Sequence, residues 1–109
     1  MKQESKIQQE IFINFHNKHP NLIIHSVPNG GTRNKIEAIE LKRTGLVAGI
    51  ADFIIHLPKG QCVMVEVKNE CGTQSKEQIK IQNKMIAMNS NYILVRSLKD
   101  FNNQIQKYL

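Results

Sequence analysis

The chain has little of what a disulfide scaffold, a zinc ribbon or a membrane protein needs. Its 109 residues include two cysteines, Cys62 and Cys71, and no tryptophan. Two cysteines without a CxxC pairing disfavour both a disulfide framework and a zinc ribbon. No apolar run approaches the ~20 residues of a membrane-spanning helix. The polar first residues do not resemble a secretory leader, so we expect a reducing, intracellular setting.

Acidic and aromatic residues are also scarce. The chain has nine Asp and Glu residues and fifteen Lys and Arg residues, which gives a net charge of +6, and 6% of its residues are aromatic. Such an excess of positive charge attracts polyanions, of which nucleic acid is the commonest, although solubility alone explains it equally well. Few aromatic side chains disfavour base stacking as the main means of binding. A chain of this length corresponds to one domain, residues 1–109, and excludes a two-domain enzyme.

Hydrophobic periodicity predicts alternating helices and strands. Ile7, Ile11 and Phe15 recur every fourth residue, which is typical of an amphipathic helix that Pro20 would end. Residues 75–78 read Ser-Lys-Glu-Gln, the form of a capping box that opens a helix. The patterns predict helices over 4–19, 33–44, 75–89 and 100–109, and strands over 22–27, 50–57, 61–68 and 92–95. The order αβαββαβα predicts an α/β fold with a mixed central sheet flanked by helices on both faces.

The second and third strands form a hairpin that would bring two carboxylates together. If Pro58–Gly60 is a three-residue loop, paired positions sum to 118, and Asp52 faces Glu66. Their Cβ atoms would then lie ~4.5–5.5 Å apart. Lys68, two residues beyond Glu66, would point to the same face, while the opposite face of the hairpin is apolar throughout.

Two facing carboxylates repel each other unless a proton or a cation lies between them. Mg²⁺ is commonly held by one or two carboxylates together with water and substrate phosphate, and a neighbouring lysine can act on a water molecule. This set suits metal-assisted hydrolysis of a phosphodiester. The alternative is a surface salt bridge of Lys68 with Glu66 or Glu70, which is the commoner explanation of an isolated E-x-K on a strand.

These residues resemble the catalytic signature of the PD-(D/E)XK nuclease superfamily. Residues 49–52 read Gly-Ile-Ala-Asp, and residues 66–68 read Glu-Val-Lys. The surrounding residues resemble one family of this superfamily, the VRR-NUC (virus-type replication-repair nuclease) family. They are Glu10, the turn at residues 28–33, and the segments 41–45 and 75–78. The resemblance covers about residues 7–95. Ala51 stands where the family usually has proline, which leaves every candidate ligand in place.

The resemblance implies a restriction-endonuclease-like fold and a metal-dependent active site. Asp52 and Glu66 would bind Mg²⁺ or Mn²⁺, helped by the carbonyl of Val67, and Lys68 would act on the attacking water. Glu10 would join the metal site from the first helix, and Gln78 would line it from the third.

Two of these assignments have alternatives. Glu10 lies ~100° around its helix from Ile11, at the edge of the apolar stripe, and could be a solvated residue. Gln78 could close the capping box on Ser75, although it shares helical spacing with apolar residues of the same helix.

Basic residues suggest a track for the DNA backbone. Lys76, Lys80 and Lys84 recur every fourth residue, starting beside the candidate site, although a solvated face is the usual explanation of such a run. Four further residues could extend the track: Arg33, Lys35, Lys42 and Arg43.

The four histidines are weaker candidates. The spacing of His16 and His19 could ligate zinc, but surface histidines are the commoner case. His25 and His56 fall in strands, where we expect them to be semi-buried.

Stand-alone members of the family resemble phage proteins and archaeal Holliday-junction resolvases. The resemblance therefore implies a cytoplasmic protein of a bacterial or phage-infected cell, acting as a homodimer on branched DNA, four-way junctions first, and leaving 5′-phosphates. One alternative is a flap, nick or non-specific nuclease of phage DNA processing. An alternative of another class is a non-catalytic DNA-binding protein that has kept the fold.

Overall fold

A computed structural model describes residues 2–28 and 34–109 of the chain. The helices are α1 (Glu4–Lys18), α2 (Lys35–Arg43), α3 (Lys76–Ala87) and α4 (Leu98–Ile105), and the strands are β1 (Ile23–Ser26), β2 (Phe53–His56), β3 (Cys62–Val67) and β4 (Asn91–Val95). The predicted order αβαββαβα is confirmed. Positions 29–33 of the predicted turn lie outside the described residues. None of the helices in the described ranges is both long and apolar enough to cross a membrane.

The four strands form one mixed sheet in the order β1-β2-β3-β4. The first two pairings are antiparallel, and β3 and β4 run parallel, with α3 as the crossover between them. Phe53 pairs with Val65 and His56 with Cys62, so paired positions of β2 and β3 sum to 118 as predicted. The loop between them is a 3₁₀ turn at Pro58–Gly60. This register places Asp52 and Glu66 opposite each other, one position beyond the last ladder pair.

One face of the sheet is the hydrophobic core. It combines buried residues of β2 and β3 with residues of α1 and α4, namely Phe53, Ile55, Val63, Val65 and Val67 with Ile7, Ile11, Phe15, Phe101 and Ile105. A slip of one residue would turn the strand side chains of this set to the other face. Since each buried apolar side chain contributes ~1.5–3 kcal/mol, five of them oppose such a slip by on the order of 10 kcal/mol. The core therefore holds the two carboxylates in register.

The helices α2 and α3 are less buried than their sequence patterns predict. Neither contains a fully buried residue, and Ile36 and Ile39 of α2 are 80% and 57% exposed. The helical spacing of Ile81, Met85 and Met88 predicts that all three point inward. This prediction is wrong for Met88, which is 64% exposed, whereas Ile81 and Met85 are half-buried. Met88 is the C-cap residue and lies just beyond the last helical residue of α3.

Gly49 sets the position of α3 relative to the start of β2. Its φ is +82°, and a Cβ there would lie 2.4 Å from the carbonyl of Glu77 and 2.7 Å from the backbone nitrogen of Gln78. Only glycine permits both the left-handed backbone and this close approach. Because the chain turns here, β2 begins at Phe53 instead of at the predicted Ile50. The first turn of α3 consequently lies against the segment that leads into Asp52.

Candidate active site

Asp52 and Glu66 come from neighbouring antiparallel strands and point to the face of the sheet opposite the core. The Asp52 side chain accepts a hydrogen bond of 2.7 Å from the backbone N–H of Val67, and its carbonyl accepts one of 2.9 Å from Val27. These two bonds hold Asp52 at the mouth of the hairpin, between β1 and β3. Asp52 therefore stays beside Glu66 even though the ladder of β2 starts one residue later.

Glu66 is a fully buried carboxyl group without a hydrogen-bond donor. Its exposed fraction is 0%, and neither side-chain oxygen has a donor within reach in the described ranges. Its pKa is raised to about 9, first by burial and then by the adjacent Asp52 carboxyl, which accepts a hydrogen bond from the protonated form and repels the charged form. The charge of Lys68 acts in the opposite direction, and Glu4 adds to the increase. Without a cation, Glu66 keeps its proton at neutral pH.

Lys68 lies beside this pair and is itself nearly buried. Its exposed fraction is 8%, and its backbone N–H donates to the Val95 carbonyl at 3.0 Å. Its ammonium group is near enough to lower the pKa of Glu66. Within the described parts of the chain, Lys68 forms no ion pair with Glu66, with Glu70 or with any other acidic residue. A surface salt bridge therefore does not account for Lys68, because the side chain is neither on the surface nor paired.

The structure does not bring Glu10 to the carboxylate pair. Glu10 forms a salt bridge of 2.9 Å with Lys2 on the exposed side of α1. Glu4, one and a half turns earlier, is the carboxylate of α1 that influences Glu66, and its Oε2 lies 2.9 Å from the place where a Cβ of Gly72 would be. The sequence contained a signal for this, since Glu4 continues the i, i+3, i+7 stripe of Ile7 and Ile11.

Gln78 closes the capping box of α3. The backbone N–H of Ser75 donates to its Oε1 at 2.8 Å, and its own N–H donates to the Ser75 hydroxyl at 3.2 Å. The capping alternative is therefore confirmed. Its second role, lining the active site, stays a prediction, since no hydrogen bond in the described residues joins Gln78 to Asp52 or Glu66.

Tyr92 is a residue of this site that sequence reasoning missed. It pairs with Met64 in the parallel register of β3 and β4, so its ring lies on the same face as Glu66. Burial raises its pKa to about 12, with the charge of Glu66 as the next cause, and Gln74 donates a long hydrogen bond of 3.4 Å to its hydroxyl. Only the pairing of β3 with β4 places Tyr92 here, and the sequence pattern did not predict that pairing.

The basic residues fall into two groups. Lys76, Lys80 and Lys84 are exposed along α3, form no ion pair within the described ranges, and begin where α3 meets Gly49. The second group lies on α2, where Lys35 and Lys42 are exposed and Arg43 is paired with Glu40. Arg33 lies outside the described residues.

The donor set at this site fits a hard divalent cation. Two carboxylates face each other, and the one at Glu66 has no donor to satisfy its oxygens. Among the described residues no group of three or more His, Cys, Asp or Glu side chains could hold a metal together. Mg²⁺ needs fewer protein ligands than that, because it is commonly held by one or two carboxylates with water and phosphate.

Comparison with solved structures identifies this architecture. No family model matches the sequence, and no curated protein matches it. A structure described as a "VRR_NUC domain" is 19% identical, with a TM-score of 0.70, and the match covers all of both chains. Another, described as a "VRR_NUC domain protein", is 17% identical, with a TM-score of 0.76, and the match covers all of this chain and 89% of the other. The chain therefore has the fold of these domains, as expected from its motifs.

Proposed function

We propose that this chain, which shares the fold of the VRR_NUC domain structures, is a metal-dependent endonuclease that hydrolyses phosphodiester bonds in DNA. One observation carries the proposal, namely the donor-free, buried Glu66 carboxyl opposite Asp52 with Lys68 beside it. A buried carboxyl group without a hydrogen-bond donor costs stability, and such groups cluster where chemistry needs them. The shared fold and the order of the motifs support a nuclease over other hydrolases.

In the proposed mechanism Asp52 and Glu66, with the Val67 carbonyl, would hold Mg²⁺ or Mn²⁺. When bound, the ion supplies a more acidic water and stabilises the charge that develops on the phosphate. Asp52 is already oriented by the N–H of Val67. Glu66 would give up its proton to solvent when it binds the ion, and the positive charge of the ion would then offset the repulsion between the two carboxylates. Lys68 orients the attacking water and offsets charge on a phosphate oxygen from within a largely water-excluded position.

The proposed substrate is branched DNA, with four-way junctions preferred, cut by a homodimer to leave 5′-phosphates. A two-fold dimer would present two sites to two strands and would double the net charge of +6 per chain. The exposed Ile36 and Ile39 of α2 offer apolar surface that a second copy could cover. Sedimentation equilibrium is expected to give twice the chain mass, and a monomer at assay concentration would contradict the dimer.

A cleavage panel tests the substrate. Four-way junctions, flaps, nicked and linear duplexes and single strands are incubated with Mg²⁺, Mn²⁺ or EDTA. We expect cutting only with metal, and fastest on the junction. Faster cutting of flaps or nicks, or equal cutting of all substrates, would instead indicate a phage DNA-processing nuclease. Binding without cutting, together with no heat of Mn²⁺ binding in calorimetry, would indicate a non-catalytic DNA-binding protein.

Glu4 is expected to matter more for metal binding than Glu10. Glu4→Ala removes a carboxylate that acts electrostatically on Glu66, so we expect Mn²⁺ affinity to fall by about 10–100-fold. Glu10→Ala is the matched control on the same helix, because it breaks only an exposed salt bridge worth ~0–1 kcal/mol. Calorimetric titration with Mn²⁺ measures both. A larger loss in the Glu10 variant would restore the assignment made from the motif.

A further inference from the structure

Two histidines face each other across β1 and β2, on the face of the sheet that also carries the carboxylates. His25 of β1 and His56 of β2 are both exposed, which corrects the expectation that they are semi-buried. The register places both on the face of the sheet that carries Ile54. Their Nε2 atoms are 3.0 Å apart, and their ring planes are 15° from parallel with centroids at 5.1 Å, so the rings meet edge to edge. Both histidines lie on the face of the sheet opposite the hydrophobic core, which is consistent with their exposure.

The proton of His25 is held away from this contact. Its Nδ1 lies 3.0 Å from the carbonyl of Ser26, which only accepts, so Nδ1 carries the hydrogen and Nε2 has a lone pair. The Nδ1 of His56 has no hydrogen-bond partner in the described residues, so nothing there determines its tautomer. With the proton on Nε2, His56 donates one hydrogen bond to His25. With the proton on Nδ1, two lone pairs face each other and a cation can lie between them.

We propose that His25 and His56 form a binding site for a divalent first-row transition-metal ion, coordinated through both Nε2 atoms. Neutral imidazole suits Zn²⁺, Cu²⁺ and Ni²⁺, and a ligand histidine usually donates its other N–H to a carbonyl, as His25 does. With metal–nitrogen bonds of ~2.05 Å, two nitrogens 3.0 Å apart subtend about 94° at the ion. That angle is near the right angle of square-planar or octahedral coordination, which favours Cu²⁺ or Ni²⁺ over tetrahedral Zn²⁺. Water fills the remaining positions.

A bound ion would stabilise the pairing of the edge strand β1 with β2. β1 buries only Ile24, and it is one of the two outer strands of the sheet. Its other described contacts are the ladder to β2 and the packing of α1. A bridge between His25 and His56 would therefore stabilise the native state by mass action without involving the carboxylates, since Asp52 lies two residues along the chain from the ladder partner of His25 and four residues from His56.

Calorimetric titration with Ni²⁺ tests the site. The titration is made in millimolar Mg²⁺, which occupies oxygen ligands and leaves imidazoles free. Ni²⁺ is preferred over Cu²⁺ as the probe because it does not oxidise the exposed thiol of Cys62, the register partner of His56. We expect one Ni²⁺ per chain, and we expect His25→Gln and His56→Gln each to weaken binding by about tenfold or more. His16→Gln, which removes an exposed imidazole on α1, is the matched control and is expected to bind as wild type does.

Thermal unfolding gives a second readout. Ni²⁺ should raise the midpoint of the wild type and of His16→Gln, but not of the His25 and His56 variants, while all four keep the same midpoint in EDTA and the same Mg²⁺-dependent cleavage rate. The proposal is overturned if the wild type takes up no Ni²⁺ in the presence of Mg²⁺, or if either strand variant binds it as tightly as the wild type.

Discussion

Replacing Lys68 by alanine is expected to lower the Mg²⁺-dependent cleavage rate of a four-way junction by about 10²–10⁴-fold, the range lost when a positioned proton-transfer group is removed. Lys68 is 8% exposed and its charge acts on Glu66, so solvent cannot replace its ammonium group efficiently. Glu66→Gln should cause a loss at least as large, because the amide keeps the shape of the side chain but no longer offers an anionic ligand. Single-turnover cleavage with excess enzyme measures both losses.

Binding assays separate this chemical role from a structural one. Both variants should bind the junction in EDTA as the wild type does, since the exposed lysines of α3 are unchanged. Lys18→Ala and Glu70→Gln are matched controls at exposed positions and should cleave at the wild-type rate. If Lys68→Ala and Glu66→Gln cut as fast as these controls, the proposed mechanism is wrong.

The metal-free protein is expected to lose stability as the pH rises from about 4.5 to about 9. Burial holds the pKa of Glu66 at about 9 in the native state, against 4.5 for a free carboxyl, so over this interval the unfolded state releases a proton that the native state retains. The contribution of Glu66 is complete below the lower value and is lost as the pH approaches the upper one. Urea unfolding in EDTA at several pH values measures this slope.

Glu66→Gln isolates the effect, because glutamine is close in shape to the protonated side chain and does not ionise. We expect the stability of the variant to fall less steeply with pH than that of the wild type. At pH 8 its free energy of unfolding should be higher than the wild-type value by on the order of a few kcal/mol. Glu70→Gln, at an exposed position four residues away, should follow the wild-type curve. Parallel curves for Glu66→Gln and wild type would show that Glu66 titrates normally. A variant that loses activity but gains stability would be the signature of a site that sacrifices stability for chemistry.

The hairpin and the start of α3 were determined by local sequence. Alternating apolar residues on either side of Pro58–Gly60 leave one register that buries the apolar face, so the opposition of Asp52 and Glu66 follows from neighbouring residues alone. The capping box is likewise complete within residues 75–78. These features can be predicted from the sequence because each depends on contacts between residues that are close together along the chain.

Only the tertiary structure decided which further groups meet the carboxylates and which surfaces stay open. Glu4 instead of Glu10 approaches Glu66 because the rotation of α1 against the sheet is set by core packing. Tyr92 arrives through the parallel pairing of β4, and His25 meets His56 through the pairing of β1 across the intervening α2. These contacts join segments distant along the chain, and the sequence pattern of one element carries no information on how it is rotated or paired against another.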